Sequence, residues 1–201
     1  DSGNQRRSTA TDLPGAKPAM WGALQADLHA QGIVPDVVEV VDADGQVLDR
    51  VRQVLRVIAR HDLVLATGHL SGPEILTVVR AAREEGVRRI VVTHPEFTSQ
   101  RLSVPQQREL VEHGVLLERC FSTAYTGKVS WDDMFGNIRA VGVEHSVLSS
   151  DLGQPFNPPV EDGLALFADR LLEAGFTEQE VHTMAVVNSR RLTVGESEVP
   201  A

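Results

Sequence analysis

Three side chains able to hold a cation or move a proton each stand directly after a short apolar run. They are His69 in Thr67-Gly68-His69, His94 in Thr93-His94-Pro95 and Asp151 in Ser149-Ser150-Asp151. Two imidazoles and a carboxylate suit Zn²⁺ or a similar divalent ion, whose borderline softness accepts nitrogen and oxygen donors together. His69 and His94 are about one βα unit apart, which predicts neighbouring strands. A lone histidine at a strand end usually serves a loop hydrogen bond, and an aspartate there often caps the next helix. The same placement three times over points instead to one shared site. Glu118 and Cys120 alternate along a further apolar run and can face that site; the competing reading is a satisfied strand residue and a small buried thiol. Thr123, Tyr125 and Lys128 fall in the loop after this run, and Gln154 and Asn157 in the loop after Asp151. Glu118, Cys120, Tyr125 and Gln154 are the candidate substrate contacts. His61 and His113 lie in last helical turns, where a cation is favourable, so they read as structural, as do His145 and His182. Arg83, Arg88 and Arg89, mixed with Glu84 and Glu85, read as a solvated helix end.

These residues need a scaffold that brings distant runs together. Residues 1–19 are polar and interrupted by Gly3, Pro14, Gly15 and Pro18, which predicts an arm. Met20, Trp21, Leu24 and Leu28 have helical spacing, with Gly32 able to close the helix. Asp44-Gly45 between Val37–Ala43 and Gln46–Leu48 predicts a hairpin, and a helix follows up to His61. Short apolar strands are then expected at 63–67, 89–93, 115–121 and 146–150. They alternate with helices at 71–85, 103–113 and 130–141, closed by Gly86, Gly114 and Gly142. Two more helices are expected near 160–174 and 177–190. Ser71/Glu74, Ser103/Gln106 and Thr177/Glu180 have capping-box spacing. The pattern is that of an α/β parallel βα array, with every strand ending on one face. We divide the chain into an arm plus short helix (1–36), a βα domain (37–195) and a tail (196–201).

Composition narrows the function classes. With 28 acidic against 19 basic residues, a net charge of −9 argues against a nucleic-acid binder, which needs clustered cations to neutralise phosphates. Six Phe, two Trp and one Tyr leave little for base stacking. No apolar run approaches the roughly 20 residues that cross a bilayer, and Asp1–Arg7 lacks the apolar stretch of a signal peptide. One cysteine excludes an internal disulfide and, reduced, fits a cytoplasmic protein. The missing initiator methionine leads us to expect a start at an internal cut.

From about Val37 to Gly195 the sequence resembles the second half of an amidohydrolase-superfamily barrel, of a poorly characterised branch. The resemblance rests on Ala66-Thr67-Gly68-His69-Leu70, Val91-Val92-Thr93-His94-Pro95-Glu96-Phe97, Leu148-Ser149-Ser150-Asp151-Leu152-Gly153-Gln154 and the closing Val187-Asn188-Ser189-Arg190-Arg191-Leu192. It implies strands five to eight of a TIM-type (β/α)8 barrel. It also implies His69 and His94 as metal ligands, with His94 alternatively orienting the attacking water, and Asp151 as ligand and proton acceptor. The implied activity is a metal-dependent hydrolase, or less often a decarboxylase or lyase, acting on a small polar amide, ester or related substrate. The family's strand-one His-x-His pair is missing: Asp27-Leu28-His29-Ala30-Gln31 carries Gln31 at the second position, and His29 reads as a helical surface residue. A closed barrel takes about 250 residues, so the resemblance implies a second polypeptide bearing strands one to four, and hence an oligomer. A non-catalytic open-sheet module that binds a ligand or partner is the alternative. A metal-dependent nuclease is a third reading, weakened by the acidic charge.

Overall fold

The computed structural model describes residues 20–34 and 38–194. The expected arm at 1–19, the tail at 196–201 and Val37 at the start of the hairpin lie outside the described residues. Helix α1 (Met20–Ala30) ends where Gly32, at φ +75°, lets its N–H reach the His29 carbonyl. His29 is exposed on this helix. The expected hairpin contracts to one antiparallel bridge, Val41–Val47. The turn differs from the reading: it runs over residues 42–45, with Gly45 N–H on the Asp42 carbonyl and Gly45 but not Asp44 at positive φ. Asp42 Oδ1 accepts the N–H groups of Asp44 and Gln46, at 3.0 and 2.8 Å. The short carboxylate thus takes up donors at the turn.

Helix α2 (Asp49–Arg60) leads into a regular alternation: β1 (Val64–Ala66), α3 (Gly72–Glu84), β2 (Arg89–Val92), α4 (Val104–Glu112) and β3 (Leu116–Cys120). Next come α5 (Phe121–Tyr125), α6 (Trp131–Val141), a 3₁₀ turn and β4 (Ser146–Ser149). The chain finishes with α7 (Val160–Glu173), α8 (Glu178–His182), a π-helical turn (Thr183–Val187) and α9 (Asn188–Val194). The capping signals act as read: Glu74, Gln106 and Glu180 accept the N–H groups of Ser71, Ser103 and Thr177. Two local features differ from expectation. The segment carrying Thr123 and Tyr125 is helical (α5), not a loop, and the last helix runs on to Val194 through a π turn.

The four strands form one parallel sheet in the order β1-β2-β3-β4. Each crossover therefore leads to the adjacent strand on the same side, and crossovers of uniform hand stack their helices on one face. On that face Ile90, Val92 and Leu117 pack with Ile75, Val78, Val79 and Leu110, all buried. Leu148 joins a second apolar cluster with Met134, Ile138, Phe167 and Leu171. Strand alternation turns Leu116, Glu118 and Cys120 of β3 to the opposite face.

One fully buried cation joins these parts. Arg119, at 0 % exposure on β3, donates to Glu96 in the β2–α4 loop, to Gln107 of α4 at 2.8 Å and to Ser146 of β4 at 3.2 Å. Asn137 of α6 also donates to Glu96, at 3.3 Å. Removing one partner of such a pair leaves a charge buried without compensation, at a cost of about 3–5 kcal/mol. We expect Arg119→Met to lose about that much stability in urea denaturation. The double variant Arg119→Met/Glu96→Leu, which removes both charges, should recover most of it; equal loss in both would show that the pair's geometry, not its charge, is at stake.

Candidate functional site

All four strands end on one edge of the sheet, and the three sequence candidates stand there: His69 after β1, His94 after β2 and Asp151 after β4. Active sites of parallel βα arrays form on this edge. The first two ends are laced together. Thr93 N–H donates to Thr67 Oγ1 (3.1 Å), Gly68 N–H to Thr93 Oγ1 (3.2 Å), and Thr67 N–H to the Val91 carbonyl (3.1 Å). Buried Gln100 adds a bond from Nε2 to the Gly68 carbonyl, at 3.0 Å. Gly68 at φ +58° supplies the left-handed turn that lifts His69 over the edge.

The lacing sets the two imidazoles side by side. Their Nε2 atoms are 3.2 Å apart, and Phe97 closes over both rings, with centroids 4.9 Å from His94 and 5.9 Å from His69. His94 is buried, at 3 % exposure, and its Nδ1 has no hydrogen-bond partner; His69 stands at the solvent side. Burial, followed by the neighbouring His69, pushes His94 from its ordinary value down to about 4, against a smaller pull from the Asp151 carboxylate. Burial lowers His69 as well, and Asp151 again opposes it. Both rings are therefore neutral near pH 7, the form in which a histidine ligates a metal. His94 and Asp151 adopt positive φ, +26° and +48°. A left-handed backbone at a residue other than glycine costs about 1–3 kcal/mol and concentrates at functional sites.

The fourth strand end completes the surround. Ser122, on α5, donates from Oγ to Asp151 Oδ2 at 2.8 Å. Cys120 Sγ lies 3.2 Å from Ser149 Oγ. Glu118 also engages Ser149, and burial raises its carboxyl above the usual range, with Asp151 adding to the rise. Burial pushes the Cys120 thiol well up, so without a metal it stays protonated. His69, His94, Asp151, Glu118 and Cys120 are thus tied by contact or by field. Tyr125 and Gln154 are engaged elsewhere: Tyr125 stacks on Phe121, and Gln154 accepts from Asn157 in its own turn. Phe97, Gln100 and Ser122 escaped sequence reasoning. Phe97 and Gln100 lie within seven residues of His94, yet only the bend of the loop brings them onto it.

A divalent ion fits the imidazole pair. Two nitrogens each about 2.0–2.1 Å from a tetrahedral ion stand about 3.3–3.4 Å apart, close to the separation observed. The same 3.2 Å also accommodates an N–H···N hydrogen bond between the rings. Among the described residues no three His, Cys, Asp or Glu side chains form a closed metal-ligating group; Asp151 acts on both rings through its charge.

Comparison with known proteins adds one finding. A family model described as "Family of unknown function (DUF6282)" matches residues 8–118, more than half of the chain. No curated protein and no solved structure matches.

The depressed His94 makes a pH prediction with a definite sign. Below the ordinary histidine value the unfolded chain takes up a proton that folded His94 refuses, so stability falls as pH drops from about 6.5 to about 4. We expect a loss on the order of 3 kcal/mol across that window in denaturant titrations of EDTA-treated protein. His94→Gln should flatten this acid limb.

Proposed function

We propose that this chain, which belongs to the DUF6282 family of unknown function, is a metal-dependent hydrolase of amidohydrolase type acting on a small polar amide, ester or related substrate. The observation that carries the reading is the pair of neutral imidazoles, 3.2 Å apart at Nε2, at the carboxyl edge of a parallel sheet beside Asp151. His69 and His94 would hold a divalent cation, in our reading Zn²⁺, together with Asp151. Such an ion, when bound, lowers the pKa of water towards about 7 and polarises a carbonyl or phosphoryl oxygen.

The chain's own groups have distinct parts. His94, neutral and walled off by Phe97, would offer its Nε2 lone pair to a ligand in the tautomer that carries its proton on Nδ1. Asp151 would take a proton from the water that attacks the scissile carbonyl and return it to the leaving group as that group's bond to the carbonyl carbon breaks, while its Oδ2 accepts from Ser122. Glu118, on the face opposite the helices, would contact the substrate in this reading.

The consecutive parallel strand order supports a larger architecture: this chain as strands five to eight of a (β/α)8 barrel, with a second polypeptide supplying strands one to four. Among the described residues β1 and β4 each have a neighbour on one side alone, and such edges invite pairing. Among the described residues no helix is long and apolar enough to cross a membrane; a cytoplasmic setting is our reading from the single, reduced cysteine. A second reading, a non-catalytic open-sheet module that binds a ligand or partner, is supported by the four-stranded sheet itself.

Metal titration separates the two. We expect one Zn²⁺ per chain by competition with a chromogenic chelator, and His69→Ala or His94→Ala to abolish it. A chain that takes up no Zn²⁺ leaves the module reading. Asp151→Asn should keep the fold by circular dichroism and lower turnover of a small amide or ester panel by about 10²–10⁴-fold. Near-native turnover would assign Asp151 a capping role instead.

A further inference from the structure

We infer that Ser122 is a positioning residue for Asp151, fixing the carboxylate that the proposed hydrolase uses; the inference rests on that reading. Ser122 is buried, at 6 % exposure, on the second position of α5. An N–H in the first turn of a helix has no partner within the helix. Here it donates across to the Ser150 carbonyl at 3.1 Å, the last residue before Asp151. The hydroxyl of the same residue donates to Asp151 Oδ2 at 2.8 Å. One serine therefore binds both the backbone leading into Asp151 and its side chain.

The position of that brace matters because Asp151 is strained. Its φ of +48° is a conformation that relaxes unless the surroundings hold it. The brace is matched on the far side by Gly163 of α7, where an added Cβ would collide with Leu152 and Ser150. α7 thus packs closely on Ser150 and Leu152, either side of Asp151, while Asp151 itself is exposed and takes a polar contact from Ser122. A hydrogen bond to Oδ2 also restricts rotation of the carboxylate, so that Oδ1 keeps one direction. Partners of this kind, one bond removed from a ligand, typically carry 10–100-fold in metal affinity. α5 itself is well anchored for the purpose. Phe121 packs against Trp131 and Phe167, and the Ser122 carbonyl accepts from Thr126 N–H at 2.9 Å.

The test uses the full chain, with Zn²⁺ as the probe and a second readout that needs no metal. We expect Ser122→Ala to weaken Zn²⁺ binding by about 10–100-fold in chelator competition, with little change in Tm. Ser122→Thr, which keeps the hydroxyl, should stay within about threefold of wild type. Should the alanine variant fail to fold, Ser122→Val takes its place; it matches Ser122→Thr in shape without the hydroxyl and should bind Zn²⁺ about 10–100-fold more weakly than that variant. Crystal structures of wild type and variant then report the Asp151 side chain directly, and we expect its carboxylate to rotate when the donor is lost. If wild type binds Zn²⁺ and Ser122→Ala binds it equally well, the positioning role is overturned while the functional reading stands. If wild type binds no Zn²⁺, the functional reading falls. The positioning role is then judged by the structures alone: an unmoved carboxylate overturns it, a rotated one upholds it.

Discussion

The ion pair between Arg119 and Glu96 sets the terms for the rest of the molecule. Nε and Nη1 of this guanidinium, at 0 % exposure, are met within the protein by groups from separate βα units, while Nη2 has no hydrogen-bond partner. Gln107 of α4, Ser146 of β4 and Glu96 of the β2–α4 loop can converge on Arg119 only if β2, β3 and β4 lie in the observed order. Apolar packing would accept several arrangements of the same helices; a buried charge accepts very few. Because Glu96 is two residues beyond His94, the constraint that orders the sheet also fixes the loop that bears the buried imidazole.

The edge above this network combines rigidity with strain. His94 and Asp151 are held at positive φ on facing loops, one by the Arg119–Glu96 anchor and its Phe97 neighbour, the other between Ser122 and the Gly163 contact. At the ends of β1 and β2 the threonines at 67 and 93 exchange bonds that keep His69 level with His94. Burial keeps the rings neutral, and the field of Asp151 opposes but does not reverse that effect. A group of donors that is neutral, close and fixed is well suited to a cation, since little reorganisation accompanies binding.

Much of this frame was legible in the amino-acid sequence. Leu63–Thr67 and its three successors are short apolar runs between amphipathic stretches, and the capping pairs at Ser71, Ser103 and Thr177 mark helix starts through purely local chemistry. The positions of His69, His94 and Asp151 followed from the same periodicity, because the residue after a parallel strand has one possible edge to stand on. What stayed hidden was non-local. Arg119 reads as one more residue of a strand, and nothing in the spacing of Glu96, Gln107 and Ser146 announces a common partner. Ser122 sits in a segment of aromatic and small residues, Phe121–Tyr125, whose single helical turn is stabilised by packing against Trp131 and Phe167. The Asp44-Gly45 signal marked a turn but not its register: the turn closes one residue earlier, with Gly45 N–H on the Asp42 carbonyl, and the Asp42 side chain takes two further donors there.

The burial of Glu96 also bears on how this surface moves. Loops at a strand edge are ordinarily among the first segments to open, detaching with free energies far below that of the whole domain. The β2–α4 loop lacks that freedom, because lifting Glu96 away would leave Arg119 charged in an apolar interior. His94 should therefore be released only when the sheet itself comes apart, and its amide should exchange with solvent on the timescale of the strands beneath it.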